Sequence, residues 1–308
     1  MNQTAPTPSA LRALLDDAQA HHGDAPAAVA AALLAQAPTL PADAEGSEAI
    51  RLAEHVLLGH RADPDGLAAF VASLPSALTT DATTAPSLQR VRWALAVVQA
   101  HTTAALPPAP PDAPRWRALQ NVVLALAGLG RCSEAAALLA ADEAAAMAHG
   151  GDEAGVAYAS AANNVAGHLQ TGHLRGDAQP DAPRHAESDA LMLLAAAIAR
   201  RAWDSAGTWM HVERAEYRLA LCHAVAGNGA TAVHHAQLCL AGCQAAGDAA
   251  DAVEHYFAHE ALVRAYRAAG DAPAAAAALQ RMPMLLAQIS EADGLRDWCA
   301  ETLADLRR

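Results

Sequence analysis

Between Thr208 and Met282 the chain concentrates the side chains able to ligate a metal or move a proton: His211, Glu213, Glu216, Cys222, His223, His234, His235, Cys239, Cys243, Glu254, His255, His259 and Glu260. His255 and His259 are four residues apart, so on a helix both imidazoles lie on one face; His235, Cys239 and Cys243 make a second such stripe. Imidazole and carboxylate donors suit Zn²⁺ or another divalent transition metal, with a position left open for substrate. The metal set read from this stretch is His211, Glu254, His255 and His259. The diagnostic spacings are absent, since there is neither a His-Glu-x-x-His nor a Cys-x-x-Cys. Packing competes for the same residues: His223 and Cys239 fall on positions that face a neighbouring helix, where cysteine acts as a small hydrophobe. His234 and His235 point about 100° apart around a helix, so only one can face a given site. His21, His22, His55 and His60 fall at turns or helix ends, where solvated imidazoles are expected.

The elements that must position these side chains are helices. More than half of the residues are hydrophobic, yet alanine supplies most of that fraction and aromatics are scarce, which argues for close-packed helices and an all-α fold. One hairpin pattern occurs twice, aligned on Gly227 and Gly270. Equal distances before the two glycines pair Leu219 with Leu262, Ala220 with Val263 and His223 with Tyr266. Equal distances after them pair Ala232 with Ala275, Ala236 with Leu279 and Cys239 with Met282. Large residues on the first helix, small ones early on the second and a glycine between them are what two antiparallel helices need. The same pattern recurs around Gly130, and near the start of the chain His22-Gly23-Asp24-Ala25-Pro26 matches the stretch around Gly270, Ala269-Gly270-Asp271-Ala272-Pro273, at all but its first residue. A less regular copy has Tyr158 to Leu169 in its first helix, then a polar insertion, Thr171 to His185, before its partner helix, Glu187 to Trp203. The last helix, Glu291 to Arg307, is expected to cap the array with Leu295, Trp298, Leu303 and Leu306 on one face.

This pattern resembles the tetratricopeptide repeat, most clearly over residues 115–282, although the 43 residues from Gly227 to Gly270 exceed the standard repeat of about 34. The Asn163-Asn164-Val165-Ala166 string is similar to the Asn-Asn-Leu-Ala helix of kinesin-light-chain-type repeats. The resemblance implies a right-handed superhelical array of antiparallel hairpins, an α-solenoid whose first helices line a concave surface that binds a protein or peptide. The implied concave positions are Arg214 with Phe257, Tyr217 with Glu260, Leu221 with Arg264, and Ala224 with Arg267, joined by Asn163, Asn164 and Gln170. The partner-binding set is therefore Asn163, Asn164, Arg214, Tyr217, Arg218, Phe257, Glu260 and Arg264. Asn164 with Arg214 and Arg218 is similar to part of the carboxylate clamp that some tetratricopeptide domains use on acidic C-termini; the clamp's lysine has no counterpart.

Three domain-level segments follow: helical repeats over 1–106, a proline-rich connection over 107–114 expected to be non-helical, and repeats with a capping helix over 115–308. The connection Pro75 to Pro86 is expected to be exposed, and Ser9 and Asp63 are expected to cap helices. The chain has no lysine, so neither a P-loop nor a Schiff-base lysine can exist. A formal net charge of −13 opposes binding to nucleic acid or anionic membranes. The opening MNQTAPTPSA lacks the basic and apolar regions of a secretory signal, no apolar run is long enough to span a bilayer, and the five cysteines make no disulfide framework. These features lead to the expectation of a cytoplasmic, bacterial scaffold or adaptor without a cofactor, with oligomeric state open. The alternative is a metal-dependent enzyme or metal-binding protein on the same fold.

Overall fold

Alanine-rich stretches punctuated by glycine and proline have few conformational options, and each becomes a helix that ends where the punctuation demands. The computed structural model describes residues 9–100, 107–174, 186–291 and 294–308, and no strand occurs among them. Two compact units result, residues 1–139 and 140–308.

The first unit contains α1 (Ala10–His21), α2 (Pro26–Gln36), α3 (Ala44–Glu54), α4 (Pro64–Ser73), α5 (Ala85–Gln99) and α6 (Asp112–Gly128), followed by α7 (Cys132–Ala141). The start of each helix can be traced to its sequence. Ser9 accepts from the Arg12 N–H and Asp63 from the Gly66 N–H, so both expected caps form. Pro26 and Pro64 occupy first-turn positions, where a missing N–H costs nothing. The same physics corrects the proline-rich connection: α6 begins at Asp112, so Pro114 sits inside its first turn and only 107–111 are non-helical. Pro75 to Pro86 is likewise not simply exposed, because Leu78 and Thr84 are buried and the Thr84 hydroxyl donates to the Leu78 carbonyl at 2.7 Å. After Glu54 the chain continues as a π-helical turn, His55–His60, in which the Arg61 N–H reaches back five residues to the Val56 carbonyl. The fully buried Phe70, Trp116, Leu57 and Leu58 form the centre of this unit.

The second unit contains α8 (Glu143–Ala148), α9 (Glu153–Leu174), α10 (Ala186–Ala206), α11 (Trp209–Val225), α12 (Gly229–Ala246), α13 (Ala252–Ala268), α14 (Ala272–Leu279), α15 (Met282–Leu286) and α16 (Arg296–Leu306). Consecutive helices pack from α9 through α14. The first helices of successive hairpins also touch, α9 against α11 and α11 against α13. Gly227 and Gly270 have φ of +75° and +76°, the left-handed conformation that lets a helix stop and reverse without a Cβ penalty. The paired positions share their burial: Leu219 and Leu262, Ala220 and Val263, Ala232 and Ala275, and Cys239 and Met282 are all in the core. Residues 171–174 of the expected polar insertion belong to α9; 175–185, like the opening residues 1–8, lie outside the described residues.

The terminal helix differs from its expected register. Cys299, Thr302, Leu303 and Leu306 form its buried face, whereas Leu295 and Trp298 are exposed. Trp298 and Leu303 are five residues apart, about 140° around a helix, and cannot share the centre of one face. The Tyr256 hydroxyl donates to the Cys299 carbonyl at 2.5 Å and joins this helix to the core of α13. No helix among the described residues is long and apolar enough to cross a membrane.

Candidate functional site

Helices α9, α11 and α13 lie side by side, so residues at matching turns of each converge on one surface. There they line a cleft of about 520 Å³ with Asn163, Gln170 and Thr171 from α9, and Glu213, Arg214, Tyr217, Arg218 and Leu221 from α11. Glu254, Phe257, Glu260 and Arg264 come from α13, and Leu295 and Trp298 from the chain end. Seven of the eight partner-binding residues read from the sequence are in this lining; Asn164 is exposed and is not. Equal counting from Gly227 and Gly270 relates Arg214 to Phe257 and Tyr217 to Glu260, because the register of one hairpin fixes that of the next; Asn163 and Arg218 rest on the resemblance alone.

One wall is aromatic. Tyr217 meets Phe257 edge-on with ring centres 5.6 Å apart, and Phe257 meets Trp298 at 5.3 Å. The sequence reading placed Trp298 in the capping core and so missed it as part of this row. Its offset from the Cys299, Thr302, Leu303 and Leu306 face was the available signal.

The other walls are ionic, and most of the charge is already paired. Arg264 donates to Glu260 at 2.8 Å, and the Tyr217 hydroxyl donates to the other Glu260 oxygen at 3.1 Å. Desolvation and the neighbouring Glu260 charge push the Tyr217 phenol well above its usual value, so it serves as a donor. Arg214 donates to Glu254 at 2.5 Å. Burial, and a hydrogen bond with Asp251, raise the Glu254 carboxyl, while the same bond lowers Asp251. Buried Glu213 accepts from Cys239 Sγ at 2.7 Å, with Cys243 Sγ at 3.6 Å from the same oxygen; burial raises its carboxyl above the ordinary range. Cys239 is thus buried as expected, but its thiol lies on the Glu213 carboxyl, and the hydrogen bond with Cys243, burial and the Glu213 charge push it far above the ordinary thiol range. Glu216 is held by Arg200 at 2.6 Å and His235 at 2.7 Å.

Arg218 differs from the other cations in the cleft. Its Nη1 donates to the Gln170 amide oxygen at 2.7 Å, its buried Nε has no partner, and no carboxylate among the described residues lies within ion-pair reach. The guanidinium rests on Gly167 of α9, where a Cβ would lie 3.1 Å from its central carbon. A cation set into a half-buried wall and met only by an amide dipole retains attraction for an incoming anion.

The four residues read as a metal set do not converge. His211 accepts the Thr208 N–H at 3.1 Å, helps to cap α11 and stacks on Trp203 at 4.4 Å. Glu254 is committed to Arg214. His259 has a buried Nδ1 without a partner, and burial lowers its imidazole below the ordinary value. Among the described residues, the three-residue group whose ligand atoms do converge is in the first unit: His22, His55 and His60. Comparison of the chain with protein-family models, curated proteins and solved structures found no match.

Proposed function

We propose that residues 140–308 form a tetratricopeptide-like, right-handed array of helix hairpins whose cleft binds a protein or peptide segment presenting a carboxylate, as an acidic C-terminal segment would. The observation that carries this reading is Arg218, a half-buried cation that meets no carboxylate among the described residues and lines the same cleft as an aromatic row. Arg218 receives the carboxylate, while Tyr217, Phe257 and Trp298 take an apolar side chain a residue or two upstream. Asn163 offers an amide to the extended peptide backbone. Paired Arg214, Glu254, Glu260 and Arg264 hold the walls in place.

The test uses two synthetic libraries of the same random sequences, one ending in free carboxylates and the other in amides. Binding enriched in the free-acid series, and abolished by Arg214→Glu with Arg218→Glu in a protein that still unfolds cooperatively by circular dichroism, supports the reading. Equal binding of both series, or undiminished binding by the double variant, overturns it.

A further inference from the structure

The π-turn in the first unit places two histidines where an α-helix could not. Five residues apart in an α-helix means about 140° of separation, but a backbone bonded five residues back brings the fifth residue nearly over the first. His55 Nε2 and His60 Nε2 are consequently 3.2 Å apart. His22, from the end of α1, closes the group: its ring centre is 5.1 Å from each of the other two, which are 4.7 Å from one another. One ring nitrogen from each of the three lies within 4.8 Å of the others, and all three side chains are half-buried.

The hydrogen bonds on the far sides of two rings set their tautomers. His22 Nδ1 is 2.8 Å from the Gln19 carbonyl, which can only accept, so Nδ1 carries the proton and Nε2 the lone pair. His55 Nδ1 is 3.0 Å from Asn121 Oδ1. The amide cannot be the other way round, because its Nδ2 donates to Glu54 Oε1 at 2.8 Å, and Glu54 is held by Arg90 at 2.9 Å. The sequence Arg90, Glu54, Asn121, His55 therefore delivers an Nδ1 proton and an Nε2 lone pair. Metal-binding histidines characteristically donate their other ring N–H to an acceptor in this way. Gly59, within the π-turn, admits the amide: a Cβ there would be 2.9 Å from Asn121 Oδ1.

We infer that His22, His55 and His60 form a three-histidine site for a divalent transition metal of the Zn²⁺ class, with the fourth coordination position open to water or a small ligand. Tetrahedral geometry with Zn–N bonds of about 2.0–2.1 Å places ligating nitrogens about 3.3 Å apart and ring centres about 5 Å apart. The His55–His60 nitrogens, 3.2 Å apart, and the ring centres, 4.7–5.1 Å apart, fit this arrangement, and the His22 nitrogen lies within 4.8 Å of the other two. Three neutral nitrogen donors favour zinc, copper or nickel over magnesium or calcium, which prefer oxygen.

The full-length chain, stripped with a chelator and titrated with Zn²⁺ alone by calorimetry, is expected to bind one equivalent. Co²⁺ should give the visible bands of a tetrahedral nitrogen site. His22→Ala, at the rim and therefore able to fold, and His60→Gln should each weaken Zn²⁺ by more than about 100-fold, since even the hydrogen-bond partners behind a ligand are worth about 10–100-fold. Gly59→Ala should weaken it by about 10-fold through Asn121. His255→Gln with His259→Gln should leave the affinity unchanged. Absence of stoichiometric binding by a folded wild-type chain, or equal affinity in wild type and His22→Ala, overturns the site. Loss of binding in the His255 and His259 variant would locate the metal elsewhere and also overturn it.

Discussion

Gly167→Ala is predicted to separate binding from stability. Alanine is favoured over glycine in a helix interior by about 1 kcal/mol, so α9 gains intrinsically. The new methyl would lie 3.1–3.3 Å from the carbon and two nitrogens of the Arg218 guanidinium, which must move by a few tenths of an ångström. The guanidinium is the far end of a long side chain, so its displacement costs chiefly the 2.7 Å bond to Gln170, worth about 1 kcal/mol. The two terms cancel to within about 1 kcal/mol, and the melting temperature of the second unit should change by no more than about 4 °C. Binding should not be spared, because a charge-assisted hydrogen bond is worth about 1.5–3 kcal/mol and weakens steeply when misaligned. Fluorescence anisotropy with a free-acid peptide from the enriched library should show affinity lower by about tenfold or more. Undiminished affinity would mean that the seat on Gly167 does not position the charge. A much larger fall in melting temperature would mean that the Arg218 end is more rigidly packed than these contacts imply.

Other perturbations test the packing and the buried charges. Gly229→Ala would place a Cβ 2.5 Å from Ala269 Cα and 2.6 Å from the Ala268 carbonyl oxygen, backbone that cannot swing aside; a loss of about 2–3 kcal/mol is expected in urea unfolding. Gly172→Ala, with nothing among the described residues within 4 Å, should instead stabilise by about a few tenths to 1 kcal/mol. Arg90→Leu strands the fully buried Glu54 carboxylate and should cost about 3–5 kcal/mol by the same assay. For pH, burial raises Glu216, but its bonds to His235 and Arg200 outweigh that and hold it below the ordinary value of 4.5. Its stabilisation is full above that value and lost as pH falls through the lower folded value. Glu216→Gln should therefore cost about 1–3 kcal/mol at pH 7, with the deficit shrinking toward pH 3. Glu213 is raised by burial, so its contribution is full below 4.5 and lost as pH rises through the folded value. Glu213→Gln, which keeps an acceptor for Cys239, should gain stability at pH 7 relative to pH 4.

The sequence made the hairpins legible because their determinants are local. A glycine at positive φ, a proline in a first turn and a capping aspartate each act within four residues. Repetition then carried the register from Gly227 to Gly270 and brought the cleft residues with it. Determinants set by distant chain were less legible. The bond from Cys239 to Glu213 links α12 to α11 and has no spacing signature. Trp298 turned outward because Cys299 and Thr302, both small, took the buried face that its size had suggested for itself. The histidine group was hidden for a different reason: spacing of five is meaningless in an α-helix and becomes a pair only through the π-turn, and His22 reaches it from another helix. Length sorted the alanine-rich runs correctly into helices, but nothing in composition distinguishes an α from a π turn over His55-Val56-Leu57-Leu58-Gly59-His60.

A double-mutant cycle tests the central claim most directly. Dissociation constants would be measured for one cleft-binding peptide as free acid and as amide, each with wild type and Arg218→Gln. A carboxylate received by Arg218 predicts a coupling energy of at least about 1.5 kcal/mol, so that removing either charge makes removal of the other nearly silent. A coupling near zero, with the acid still preferred over the amide by the Arg218→Gln protein, would contradict it.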